Sequence, residues 1–158
     1  MIRVATIFAA FAVAVMAMPA SASAQETASC TILEIEANNS GSGIDKALKP
    51  LSKKLKRPPM SSWNSFKLLK RHNAKAVKMT AANVKLATQG KLAILYRDLI
   101  STPNKKPRLR LTFTLLSKAN KRQANTTLTV DAGDFTLVGG QKLPGGGDYL
   151  AAVSCRAK

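Results

Sequence analysis

The chain offers little to catalysis or metal binding: one histidine, one tryptophan and two cysteines in 158 residues, with 5% aromatic residues. The histidine, His72, has no acid beside it in sequence, and Lys70, Arg71 and Lys75 around it disfavour an imidazolium ion. A triad also needs a nucleophile and an orienting group, and Ser61-Ser62 sits in no nucleophile-elbow pattern. His72 is therefore expected as an exposed residue in a polar turn between strands. Asp131 and Asp134 flank a tight turn with Gly133, where Asp and Gly are favoured for backbone reasons. Two lone cysteines and one distant histidine do not make a metal site, so no metal, cofactor or catalytic residue is expected.

Glycines at 139–140 and 145–147 have neither the dinucleotide nor the Walker spacing, and a strand pattern rather than a helix follows them. Phosphate loops depend on amides at a helix start, so these glycines read as hairpin residues. No helix-turn-helix, zinc-finger or RNA-binding signature is present, and no period of 20 to 50 residues repeats. Trp63, Phe66 and Tyr96 are too few to supply the stacking platforms of single-strand binding.

Acid is the scarcest commodity where base is densest. From Lys46 to Arg122 there are 21 Lys and Arg against one acid, Asp98, within a chain of formal net charge +17. Such a field repels itself on folding and attracts polyanions, whereas ordinary surfaces mix both signs. Three clusters stand out. Lys53, Lys54, Lys56 and Arg57 load the end of a short helix; Lys105, Lys106, Arg108 and Arg110 lead into a strand; Lys118, Lys121 and Arg122 lie in a turn. If the fold gathers them on one face, anionic polymers bind there by counterion release, with steep salt dependence. The expected partners are anionic polymers or lipid head groups, or else an acidic protein in which this chain is a structural subunit. Sequence-specific nucleic-acid recognition is not expected. An enzyme acting on an anionic polymer is a third, weaker reading, tested by His72→Ala.

The only long apolar run, Val4–Met18, is 15 residues, shorter than the roughly 20 needed to span a bilayer. Arg3 precedes it, and Pro19 and Ala22-Ser23-Ala24 follow, the pattern of a cleaved export signal. Residues 1–24 are thus expected as a signal peptide, with cleavage after Ala24 or, alternatively, between Ala22 and Ser23, and no transmembrane segment after its removal. Thr27, three before Cys30, is a poor lipoprotein context. Export takes Cys30 and Cys155 to an oxidising periplasmic or extracellular compartment, where a disulfide between them would join the two ends of residues 25–158, a single β-rich domain.

Within that domain the pattern is mainly β: a small sandwich or open barrel of about eight short strands with one short N-terminal helix. Leu109, Leu111, Phe113 and Leu115 alternate with Arg108, Arg110, Thr112 and Thr114, the clearest strand. In Cys30–Ala37, Leu33, Ile35 and Ala37 oppose Glu34 and Glu36. Strands are also expected at 64–71, 76–80, 84–87, 92–100, 126–130, 135–138 and 149–155, with loops at 38–43 and 101–107. Asp45 is placed to cap a helix whose stripe is Ile44, Leu48, Leu51 and Leu55, with Pro50 awkward in its interior. Trp63, after Pro58-Pro59, is expected to anchor that helix to the sheet.

Overall fold

The computed structural model describes residues 26–158; the expected signal peptide, residues 1–24, lies outside the described residues. Nine strands form two sheets: β1 (Thr27–Asn38), β2 (Gly43–Ile44), β3 (Ser65–Val77), β4 (Ala81–Lys85), β5 (Lys91–Ile100), β6 (Arg108–Leu116), β7 (Arg122–Asp131), β8 (Phe135–Lys142) and β9 (Asp148–Ala157). The first sheet runs β2-β3-β1-β9-β8 and the second β4-β5-β6-β7. All pairings are antiparallel except the two-residue match of β2 with β3. This is the mainly-β architecture that the alternating faces predict. Among the described residues no helix is long and apolar enough to cross a membrane.

β1 explains the layering. Its even positions Ala28, Cys30 and Ile32 join Leu92, Ile94, Leu109, Leu111 and Phe113 in the core between the sheets. Its odd positions Leu33, Ile35 and Ala37 face the other way, onto Leu48, Leu51 and Leu55. The apolar face thus changes sides in mid-strand, and β1 is buried on both. The expected single alternation holds only for its second half. Cys30 and Cys155 are direct partners on the neighbouring strands β1 and β9, and their disulfide is formed.

The helical segment resolves the Pro50 conflict by changing helix type. Asp45 caps it, accepting from the Ala47 N–H at 2.9 Å. A 3₁₀ stretch, Lys46–Leu51, contains Pro50, and one α turn, α1 (Ser52–Leu55), follows. Leu48, Leu51 and Leu55 are buried, so the apolar stripe survives although a regular α-helix does not form. A further 3₁₀ turn, Met60–Ser62, leads to Trp63.

Trp63 is the expected anchor. It meets Phe66 edge-on, ring centroids 6.5 Å apart, and its Nε1–H donates to Asp148 Oδ2 at 2.8 Å. Lys142 Nζ also reaches Asp148, at 2.9 Å. The Lys142 hydrogen bond, against a smaller opposing effect of burial and with help from Trp63, holds the Asp148 carboxyl below the ordinary carboxylate range. Trp63→Phe keeps an aromatic ring but loses part of the indole's packing together with one hydrogen bond to a charged acceptor, so a loss of about 2 kcal/mol or more is expected. Urea unfolding of the two proteins measures it.

Several boundaries differ from the sequence pattern. Strands expected at 64–71 and 76–80 are one strand, β3, so His72 lies in mid-strand and not in a turn. Ala81-Ala82-Asn83 belongs to β4, and the turn is made by Lys78–Thr80, with Met79 at φ 60°. Beyond the two-residue β2, β3 has a hydrogen-bonded neighbour on one side only. Edge strands carry charges that break an apolar alternation, and Lys70-Arg71-His72-Asn73 is such a run.

Candidate anion-binding site

The outer face of the first sheet is only half covered. The helical segment sits over Leu33, Ile35, Ala37, Leu150 and Ala152. Beyond Leu33 the same face continues as Ser29 and Thr31 on β1, Asn73 and Lys75 on β3, and Ser154 and Arg156 on β9. The register sets Lys75, Ser29 and Arg156 in one cross-strand row and Asn73, Thr31 and Ser154 in the next. Arg71 and Lys158 complete the lining, with Phe135 and Gly133 at one side. The groove has a volume of about 650 Å³. Four cations surround a floor of hydroxyls and one amide, and no acidic side chain lines it.

Local contacts hold the lining in place. Thr31 Oγ1 donates to Asn73 Oδ1 at 3.2 Å, fixing the side-chain amide. The β7–β8 turn docks on β9 through Gly133 N–H to the Cys155 carbonyl, 2.8 Å. Gly133 has φ +85°, and a Cβ there would stand 2.7 Å from Arg156 Nε. Glycine both permits this turn and clears the space that the Arg156 guanidinium occupies.

The basic clusters expected from sequence lie outside this groove, and of their members only Lys54 and Arg108, from two different clusters, meet. Lys54 and Arg108 line a shared cleft with Asp131 and Asp134. Lys54 Nζ donates to the Phe135 carbonyl, and Arg108 pairs with Asp131 at 3.2 Å, so both are already partnered. Lys56 shares a hollow with Lys46, Lys49 and Asp45. Lys53 and Arg57 are exposed on and just after α1, and Lys105 and Lys106 are exposed in the loop before β6. Arg110 is in register with Asp98 on β5. Lys118, Lys121 and Arg122 lie at the opposite end of β6 from Arg108, about 25 Å away at the rise of a β-strand. Of the eleven residues singled out, none lines the groove of Arg71, Lys75, Arg156 and Lys158.

A second polar assembly sits behind the sheet. Glu34 is fully buried, contrary to its expected outward place. Its carboxylate accepts from the Ala87 N–H at 2.9 Å, the Thr88 hydroxyl at 3.0 Å, the Thr88 N–H at 3.4 Å and the Tyr149 hydroxyl at 3.2 Å. His72 Nε2 lies 2.5 Å from Oε1. An ionised carboxylate only accepts, so Nε2 carries the hydrogen. Burial pushes the Glu34 carboxyl up, but the bonds from Ala87, His72 and Thr88 together outweigh it and hold the group below the ordinary carboxylate range. Burial, with Glu34 beside it, pushes the Tyr149 hydroxyl up. The expected exposed loop histidine is thus a mostly buried strand residue with an acid partner 38 positions away in sequence. The assembly ties β1, β3 and β9 to the residues following β4.

Comparison of the chain with protein-family models, curated proteins and solved structures finds no match.

Proposed function

We propose that this protein is an exported, non-catalytic binding module that holds an anionic polymer on the uncovered half of its first sheet. The observation that carries the reading is the groove lining: Arg71, Lys75, Arg156 and Lys158 around Ser29, Thr31, Asn73 and Ser154, with no acid among them. Among the described residues these four cations have no ion-pair partner, and gathering them at one concave place costs repulsion that a bound polyanion removes. Hydroxyl and amide groups on the floor supply hydrogen bonds without adding charge. The disulfide and the leader pattern of residues 1–24 support export to an oxidising compartment. His72 does not weigh toward an enzyme, because Glu34 occupies its Nε2 and the paired atoms are largely buried.

Retention on immobilised heparin tests the site against mere net charge. The triple variant Arg71→Ala/Lys75→Ala/Arg156→Ala removes three groove cations. Lys53→Ala/Lys105→Ala/Lys106→Ala removes three exposed cations elsewhere and has the same net charge. The first is expected to elute at clearly lower salt, with the slope of log affinity against log salt reduced by about 2 to 3. The second is expected to stay near the unaltered protein. Equal effects of the two triples would reduce the reading to bulk electrostatics.

A further inference from the structure

Resting on that reading, we infer that the ligand is a linear anionic polysaccharide that leaves the groove across the seam between β3 and β4 and continues to the turn after β4. Three hollows join end to end along this line. The groove shares Asn73, Ala74 and Lys75 with a second cleft of about 500 Å³, whose far wall is β4. That cleft shares Asn83 and Lys85 with a third, of about 490 Å³, which adds Lys91, Lys118, Gln89 and Asn120. No acidic side chain lines any of the three.

The far end is built with charges that repel. Lys85 and Lys91 are direct cross-strand partners, and like charges in that position are destabilising. Lys118, from the β6–β7 turn, lines the same cleft. An anionic group lying among the three removes the repulsion. A compact anion in the groove cannot do this, because the third cleft is joined to the groove only through the second. A chain with charge at intervals can.

The uncharged lining selects the polymer. Asn73, Asn83, Gln89 and Asn120 present amides suited to sugar hydroxyls and ring oxygens. Bases of a single-stranded nucleic acid stack on aromatic faces, and the second and third clefts have no phenyl, phenol or indole ring in their walls. The one imidazole there, His72, is held by Glu34.

Size-defined heparin oligosaccharides, from tetrasaccharide to hexadecasaccharide, are titrated into the full mature chain by calorimetry. Affinity is expected to rise with length and then level off. The variant Lys85→Ala/Lys91→Ala/Lys118→Ala is expected to bind the tetrasaccharide as the unaltered protein does, yet to lose about tenfold or more for the long oligosaccharides, as linked subsites do. Lys118→Glu alone, in an exposed turn, gives the same pattern if the triple variant folds poorly. Affinity independent of length, or equal losses at every length, overturns the track. A tetrasaccharide that does not bind, or that binds undiminished when Arg71, Lys75 and Arg156 are replaced, defeats the groove itself. Single-stranded DNA of matched charge that binds more tightly than the oligosaccharides overturns the choice of polysaccharide.

Discussion

Glu34→Ala is expected to lower stability by about 3 to 5 kcal/mol, the range for removing one partner of a buried ion pair or charged hydrogen-bond cluster. Ordinary domains have only about 5 to 15 kcal/mol in total, so the variant stands near the edge of folding. The loss is large because five groups lose their acceptor together: the Ala87 and Thr88 amides, the Thr88 and Tyr149 hydroxyls and His72 Nε2. Glu34→Gln retains the size and one acceptor oxygen, so an intermediate loss of about 1 to 3 kcal/mol is expected. Urea unfolding at neutral pH orders the three proteins. Equal stability of Glu34→Ala and the unaltered chain would mean that the buried carboxylate contributes nothing.

Acid separates the charge from the shape. The Glu34 carboxyl is held below its ordinary range in the folded protein, so the unfolded chain takes up the proton first as pH falls. Its stabilising contribution is fully present above the ordinary carboxylate range and is lost as pH drops through the folded value. Glu34→Gln has no such group, and its stability is expected to decline less steeply with acid over that window. Other carboxylates, Asp148 among them, act on both proteins alike.

Replacing both cysteines by alanine is the second large effect. The bond closes a loop between residues 125 positions apart, for which the chain-entropy account gives about 5 kcal/mol. The two cysteines sit opposite one another in the centre of the first sheet, both buried, so the substitution also removes packed sulfur. The double variant is expected to unfold at a much lower urea midpoint. Unaltered protein unfolded in the presence of a thiol reductant is expected to match it. A midpoint unchanged in both would show that the register of β1 and β9 alone sets the stability.

How much of this was legible in the sequence depended on whether the information was local. β6 was readable because Leu109 to Leu115 face one core and Arg108 to Thr114 do not. The Cys30–Cys155 pairing needed only two cysteines and the leader pattern of residues 1–24. Trp63 was readable as an anchor from its place after Pro58-Pro59. Glu34 and His72 were not, since nothing within a few residues of either reveals the other, and β1 is buried on both faces where one was expected. Pro50 hid the helix type, because the same leucine stripe suits a 3₁₀ stretch followed by an α turn.

The groove is not legible in the sequence for a related reason. Dense runs such as Lys53 to Arg57 stand out in a linear sequence, while the groove draws single cations from separate strands. Its mark in the sequence is spacing by two: Ser29 and Thr31; Arg71, Asn73 and Lys75; Ser154, Arg156 and Lys158. Each set reads as a polar strand face. Only the order β3-β1-β9 makes the three one surface, and strand order is not local information.

Amide chemical-shift mapping of the labelled protein with a heparin octasaccharide, at fixed salt, tests the groove most directly. The expected result is a contiguous set of shifts at Ser29, Thr31, Asn73, Lys75, Ser154 and Arg156, growing with saturation. Shifts confined to the helical segment or to the loop carrying Lys105 and Lys106, with those six amides unmoved, would contradict the account.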